Sequence, residues 1–250
     1  DGGEGEDTLN LSSTDAGSVV NFEGVEDETI PTVTVTGIEQ LSFSGGEGED
    51  RVNATEFDVA SLSGRGGNDT LIAGEGNNFI GGGTGNDLLQ GNGGDDNLDG
   101  NDGNDTLEGG EGNDDLEGNV GDDSIVGGAG NDFLRGDGGS DTLDGGEGND
   151  RLTEIVGNDV IDGGEGEDTL NLSSTDAGSV VNFEGVEDPS IPTTTVTGIE
   201  RLDFTGGEGE DRVNATEFNV GNLQGQGGND TLIAGEGSNF IAGGTGNDLR

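Results

Sequence analysis

From Gly64 to Asn171 the chain advances in twelve consecutive blocks of nine residues without a slip, each close to Gly-Gly-x-Gly-x-Asp-x-aliphatic-x. Further copies stand at 2–10, 45–53, 206–214, 225–233 and 234–242, with a truncated one at 243–250. A fixed period of this kind signals a solenoid, in which each unit buries its apolar side only against its neighbours. The eighth place is aliphatic throughout the array, from Leu71 and Ile80 to Ile161 and Leu170. An aliphatic residue between two outward-facing ones suits a very short strand. One such strand cannot bury its leucine, but a stack of strands can. The first six places must turn the chain, because glycine supplies positive φ and Asp or Asn tolerates it. Two strand–turn units, about eighteen residues, complete one coil, so loops eighteen residues apart stack at strand spacing, about 4.8 Å.

A second period is 161 residues long: residues 1–89 align with 162–250 without a gap, with 75 of 89 positions identical. Residues 1–161 are therefore one long tandem unit, and 162–250 part of a second in one continuous solenoid. Within the unit, 11–44 and 54–63 interrupt the nonapeptides, and the array 64–171 runs into the next copy. The absence of any Met and of polar end caps leads to the expectation that the chain is a piece of a longer array.

Composition limits the partners. There are 7 Lys+Arg against 55 Asp+Glu, a net charge of −48, with only 26% apolar residues. Such a chain is expected to be disordered unless something neutralises its carboxylates. Nucleic acid and anionic membranes need a basic surface, and the sequence offers none. No apolar run approaches the ~18 residues of a membrane span. Zero Cys excludes disulfides and Cys-zinc sites.

The sixth place carries the chemistry. It is Asp7, Asp50, Asp69, Asp87, Asp96, Asp105, Asp114, Asp123, Asp132, Asp141, Asp150, Asp159, Asp168, Asp211, Asp230 and Asp248. Stacking would set these carboxylates in rows that repel themselves. It would also build an oxygen cage from Asp oxygens and glycine-loop carbonyls, with Gly82, Gly91, Gly100, Gly109, Gly127, Gly136, Gly145 and Gly163 as carbonyl candidates. A hard divalent cation wanting about 6–8 oxygens fits, which favours calcium over magnesium, and zinc would want His or Cys. Asn78 and Asn239 are neutral there and should give weaker sites. Block 154–162 lacks both opening glycines and 118–126 the second, so both loops are expected to be distorted.

The blocks GGEGNDDLE (109–117), GGAGNDFLR (127–135) and GGEGNDRLT (145–153) resemble the nonapeptide of the repeats-in-toxin calcium-binding family. The resemblance covers 64–171 and the scattered copies. It implies an all-β, right-handed parallel β-roll or β-helix solenoid with calcium between stacked GGxGxD loops. It also implies type I secretion and folding triggered by extracellular calcium. Each metal would lie between repeats i and i+2, so twelve repeats offer on the order of ten ions or more. Ten ions would leave a net charge of about −28.

The inserts lack the calcium pattern. Their lengths, 34 and 10, predict about two coils and half a coil continuing the solenoid, with 23–32 protruding around Pro31. Fourteen coils would make a rod of roughly 65 Å.

Without His, Cys, Lys or Tyr catalytic options are few, and the expectation is that the chain is not an enzyme. Arg51, Arg65, Arg135, Arg151, Arg201 and Arg212 are the candidate cations for calcium-dependent lyase chemistry, and solvated counter-charges are the simpler reading. An ice-binding adhesin segment is disfavoured because the third loop place holds Thr84 and Thr245 but mostly Glu. Two classes remain. One is an extracellular structural rod or filament at the cell surface: a fibre, a sheath or S-layer component, or an adhesin extender. It would contact further copies of itself or adjoining repeats. The other is the calcium-folding secretion tail of a type I secreted enzyme or toxin. A near-exact long unit is what length-building proteins use, which favours the first.

Overall fold

The computed structural model describes residues 8–12, 19–21, 38–155, 158–173, 180–182, 194–216 and 218–250. The described residues hold strands and no helix, and every strand pairing is parallel. Successive strands alternate between two stacks. One is a twelve-stranded sheet running from Thr8–Ser12 to Phe240–Ala242. The other has nine strands, from Val19–Asn21 to Thr195–Thr197, and a third sheet of three strands contains Val180–Asn182, Arg212–Ala215 and Thr231–Ala234. The solenoid expected from the period is therefore present.

Within the array the register steps by eighteen residues: Leu107 pairs with Leu89 on one side and Ile125 on the other, and Leu116 with Leu98 and Leu134. These eighth-place residues are buried in one apolar core shared by the sheets. The strands are longer than x-aliphatic-x. Thr106–Glu111 spans six residues, from the seventh place of one block to the third of the next. Pairing continues through the opening glycines, with Gly110 opposite Gly128 and Glu111 opposite Ala129.

The second place lies in the left-handed region. Gly110 has φ 117° and Gly128 φ 116°, while Asn119 at φ 76° and Asp137 at φ 67° adopt it without glycine. Asn and Asp tolerate this region better than other side chains. Block 118–126 is consequently regular, contrary to expectation: Asn119 stays in register with Asn101 and Asp137. In block 154–162 the ladder is interrupted on one side, since pairing with Phe133–Gly138 ends at Thr153. Residues 156 and 157 lie outside the described residues.

The 34-residue insert makes one enlarged coil rather than two. Thr8 pairs with Gln40 and Val19 with Arg51, each 32 residues on. Length alone could not separate stacked strand from excursion, and the expected protrusion at 23–32 lies outside the described residues. The 10-residue insert gives a coil of nineteen, Leu41 pairing with Ala60. Each enlarged coil uses chain without adding height, so twelve strands stack to about 55 Å rather than 65 Å. The two copies of TLNLS, Thr8–Ser12 and Thr169–Ser173, lie in the same sheet.

Leu116→Ala in the calcium-loaded protein should cost about 2–5 kcal/mol, read as a lower guanidinium midpoint, because the stacked neighbours cannot close the cavity. Val120→Ala, at an exposed side chain, should change stability by under about 0.5 kcal/mol.

Candidate metal centre

In blocks 64–72 and 82–153 each turn is confined to places four to six, and the sixth-place residue grips the next coil with its backbone and side chain. The N–H of Asp87 donates to Asp105 Oδ1 at 2.7 Å, and its C=O accepts from Thr106 N–H at 2.8 Å. Repetition makes two ladders. One runs through Asp50, Asp69, Asp87, Asp105, Asp123, Asp141 and Asp159, with N–H to carboxylate distances of 2.7–3.1 Å. The other joins Asn78, Asp96, Asp114, Asp132, Asp150 and Asp168 at 2.7–2.8 Å. Asp211, Asp230 and Asp248 continue the pattern at 3.0 and 3.3 Å. Asp7 lies outside the described residues.

That ladder uses one carboxylate oxygen. The other, Oδ2, is buried without a hydrogen-bond partner at Asp69, Asp87, Asp96, Asp105, Asp114, Asp123, Asp132, Asp141, Asp150, Asp168 and Asp230. A buried unpaired anionic oxygen is costly, and a native structure does not repeat one without a compensating partner.

The opening glycine shows what faces that oxygen. A Cβ built on Gly82 would collide with Asp87 Oδ2 and lie 2.9 Å from the Gly100 carbonyl oxygen of the next coil. The carbonyls of Gly82, Gly109, Gly127, Gly145 and Gly163 likewise crowd the Cβ position of the preceding coil's opening glycine beside its Oδ2. Place one is thus glycine for want of space, not for its dihedral angles.

Asn78 maps the full cage. Its Nδ2 stands where an aspartate has Oδ2, and donates to Gly74 O at 3.1 Å, Gly91 O at 3.4 Å, Asp96 Oδ1 at 2.9 Å and Gly76 O. Four oxygens thus converge on this position: the second- and fourth-place carbonyls of its own loop, and the first-place carbonyl and carboxylate of the next. With Oδ2 restored by an aspartate, five oxygens surround the gap, a donor set that fits calcium. In Asn78 the amide serves as the positive end. Asn239 is less complete, with Nδ2 on Gly235 O at 2.8 Å and Oδ1 unpartnered.

The electrostatics agree. Burial, helped by the carboxylates of adjacent coils, raises Asp96, Asp105 and Asp132 to about 7 against hydrogen bonds that lower them. Asp69, Asp141 and Asp168 rise to about 6 for the same reasons. Fifth-place Asp95 moves the other way, held down by the N–H and then the amide of Asn113.

Gly136 differs from the other opening glycines. Its nearest oxygens are Asp141 Oδ2 and the side-chain Oε1 of Glu154. Glu154 is buried, and burial, then Asp159 and Asp141, raise its carboxyl to about 9. Arg135 pairs with Glu117 at 2.6 Å, Arg201 with Asp203 at 3.0 Å and Arg51 with Glu49 at 3.7 Å. These surface pairs act as counter-charges worth under about 1 kcal/mol each.

Residues 61–89, 81–116, 90–124, 117–152, 156–174 and 221–249 match the RTX calcium-binding nonapeptide repeat (4 copies), more than half of the chain. The chain belongs to the RTX calcium-binding repeat family. No curated protein matches it. As an RTX chain it is a calcium-binding repeat protein, and the cage just described is where its own residues offer oxygens.

The RTX pattern hid two features. Fifth-place side chains form an outer ladder of opposite sense: Asn104 N–H donates to Asn86 Oδ1 at 3.0 Å and Asn131 N–H to Asn113 Oδ1 at 2.9 Å. The recurring Asn or Asp at that place was the available signal. Glu200 Oε2 accepts the Asp168 N–H at 2.9 Å, in the role of a sixth-place aspartate. Thr-Gly-Ile-Glu-Arg-Leu (197–202) reads as a degenerate block, so the insert does not wholly lack the pattern.

Asn78→Asp should raise the calcium stoichiometry by one ion per chain, measured by isothermal titration calorimetry. The raised carboxyls bind protons more tightly folded than unfolded. The metal-free fold should therefore be stabilised below about pH 4 and lose that contribution as pH rises through about 6–7. Circular dichroism of the metal-stripped chain from pH 4 to 8 should show β-content falling across that window.

Proposed function

We propose that this chain is a section of an extracellular structural rod, built from 161-residue units and rigid only with calcium. The observation that carries this is the continuity of the twelve-stranded sheet across the junction between copies. Arg151–Ile155 of the first pairs with Thr169–Ser173 of the second, residue for residue. A second unit therefore adds length to the stack rather than a separate domain. Bound calcium supplies the positive charge that the opposed aspartate rows lack.

The chain's own residues do the rest. The sixth-place N–H and carboxylate set the spacing of the coils, the loop carbonyls complete the cage, and the eighth-place ladder fills the interior. In cytosolic calcium the carboxylates repel and the chain stays extended for type I export. Outside, it folds, because affinity of the folded state for metal is folding free energy. The rod would sit at the cell surface as a fibre, sheath or adhesin extender. It would have no active site and would contact further copies of itself or adjoining repeats. The alternative function is a calcium-folding tail of a secreted enzyme, in which catalysis belongs to another part of the protein.

Chains of one, two and three units should be disordered in chelator and gain β-signal with millimolar calcium. Small-angle scattering should show the rod lengthening by about 38 Å per unit, eight coils at strand spacing. Equal β-content with and without calcium would refute the calcium-dependent fold. Electron microscopy of the native protein separates the two functions, since filaments support the rod and single particles with an added globule the tail.

A further inference from the structure

Eleven sixth-place aspartates present the same bare oxygen, but the gap between loop 136–141 and residues Glu154 and Asp159 of the next coil is built differently. In an ordinary gap, Asp87 Oδ2 and the neutral carbonyl of Gly100 both flank the Cβ position of Gly82. At the corresponding point Asp141 Oδ2 and Glu154 Oε1 flank the Cβ position of Gly136. The glutamate stands at the first place of its block, where its neighbours have glycine, and its side chain reaches the spot that a first-place carbonyl fills elsewhere. Glu154 is 1% exposed. Its Oε2 accepts the Ile155 N–H at 3.1 Å, and its Oε1 has no partner. Carboxylate oxygens of Asp141, Glu154 and Asp159 all lie within 4.8 Å of one another, the one such trio among the described residues.

We propose that Asp141, Glu154 and Asp159 form a cation site of a separate class, selecting a trivalent hard cation over calcium. An ordinary gap is flanked by two aspartates, whereas this one has three carboxylates. Coulomb attraction scales with the charge of the ion, so the added carboxylate favours a trivalent ion half again as much as a divalent one. Lanthanide ions match calcium in size and in preference for oxygen, so an ordinary loop can accept them too and the third carboxylate provides the discrimination. The inference rests on the calcium-binding reading of the loops and adds a selectivity that the repeat motif does not encode.

Europium(III) is the probe, because its excitation energy reports the charge of its ligands and needs no aromatic sensitiser. Europium is titrated into the calcium-loaded chain. The first equivalent should bind at a concentration at least about tenfold below the rest and show its own excitation band. Glu154→Gln, the nearly isosteric change, and Glu154→Gly, the residue that neighbouring blocks carry, should both abolish that first step. Both should retain the calcium-dependent β-signal and the later, ordinary band. A single europium band with one affinity in the parent chain would overturn the proposal. So would an unchanged first step in both variants, because Glu154 would then not be a ligand. Failure of the ordinary loops to bind either ion would instead strike the calcium-binding reading, which separates the two outcomes.

Discussion

The fold depends on a division of labour within one carboxylate. The sixth-place aspartate spends Oδ1 on the backbone N–H of the preceding coil and leaves Oδ2 buried and bare. The first contact fixes how closely coils approach. The second leaves a line of anionic oxygens at that same spacing, and from Asp69 to Asp150 no hydrogen bond relieves them. A chain with 26% apolar residues and a net charge of −48 has little else with which to offset conformational entropy. Cohesion must come from cations in the gaps, and the glycine-rich loops leave space for them.

Much of this could be read from the residues. The eighth-place ladder and the sixth-place row follow from a period that never slips over twelve blocks, and stacking then puts like beside like. What escaped were features whose residue type does not announce the role. Asn119 and Asp137 hold the left-handed conformation that Gly110 holds, so a missing glycine did not mean a distorted loop. Glu200 performs a sixth-place task from a degenerate block in which glutamate stands for aspartate. The two-coil expectation for the 34-residue insert fails because residue count does not reveal how much of an insert joins the sheets.

Within one architecture the chain meets the same electrostatic demand in different ways. Most loops present an oxygen cage. Asn78 fills its cage with an amide, donating to the oxygens that elsewhere face a carboxylate. Glu154 takes the opposite course and brings a further anionic group into the gap. A single change at the first or sixth place thus alters the chemistry of one gap, while the stacking on either side keeps its register.

From Thr8–Ser12 to its duplicate Thr169–Ser173 there are eight steps along one sheet. Each step is a full coil, so the unit closes on the face where it began, despite its odd number of residues and its two irregular inserts. Unequal recombination could thus add or remove whole units while every downstream side chain kept its compass bearing. Gain or loss of a lone nonapeptide would instead swing the remainder of the molecule through half a turn. Parity of half-coils, more than residue count, is the quantity that duplication of this gene has had to conserve.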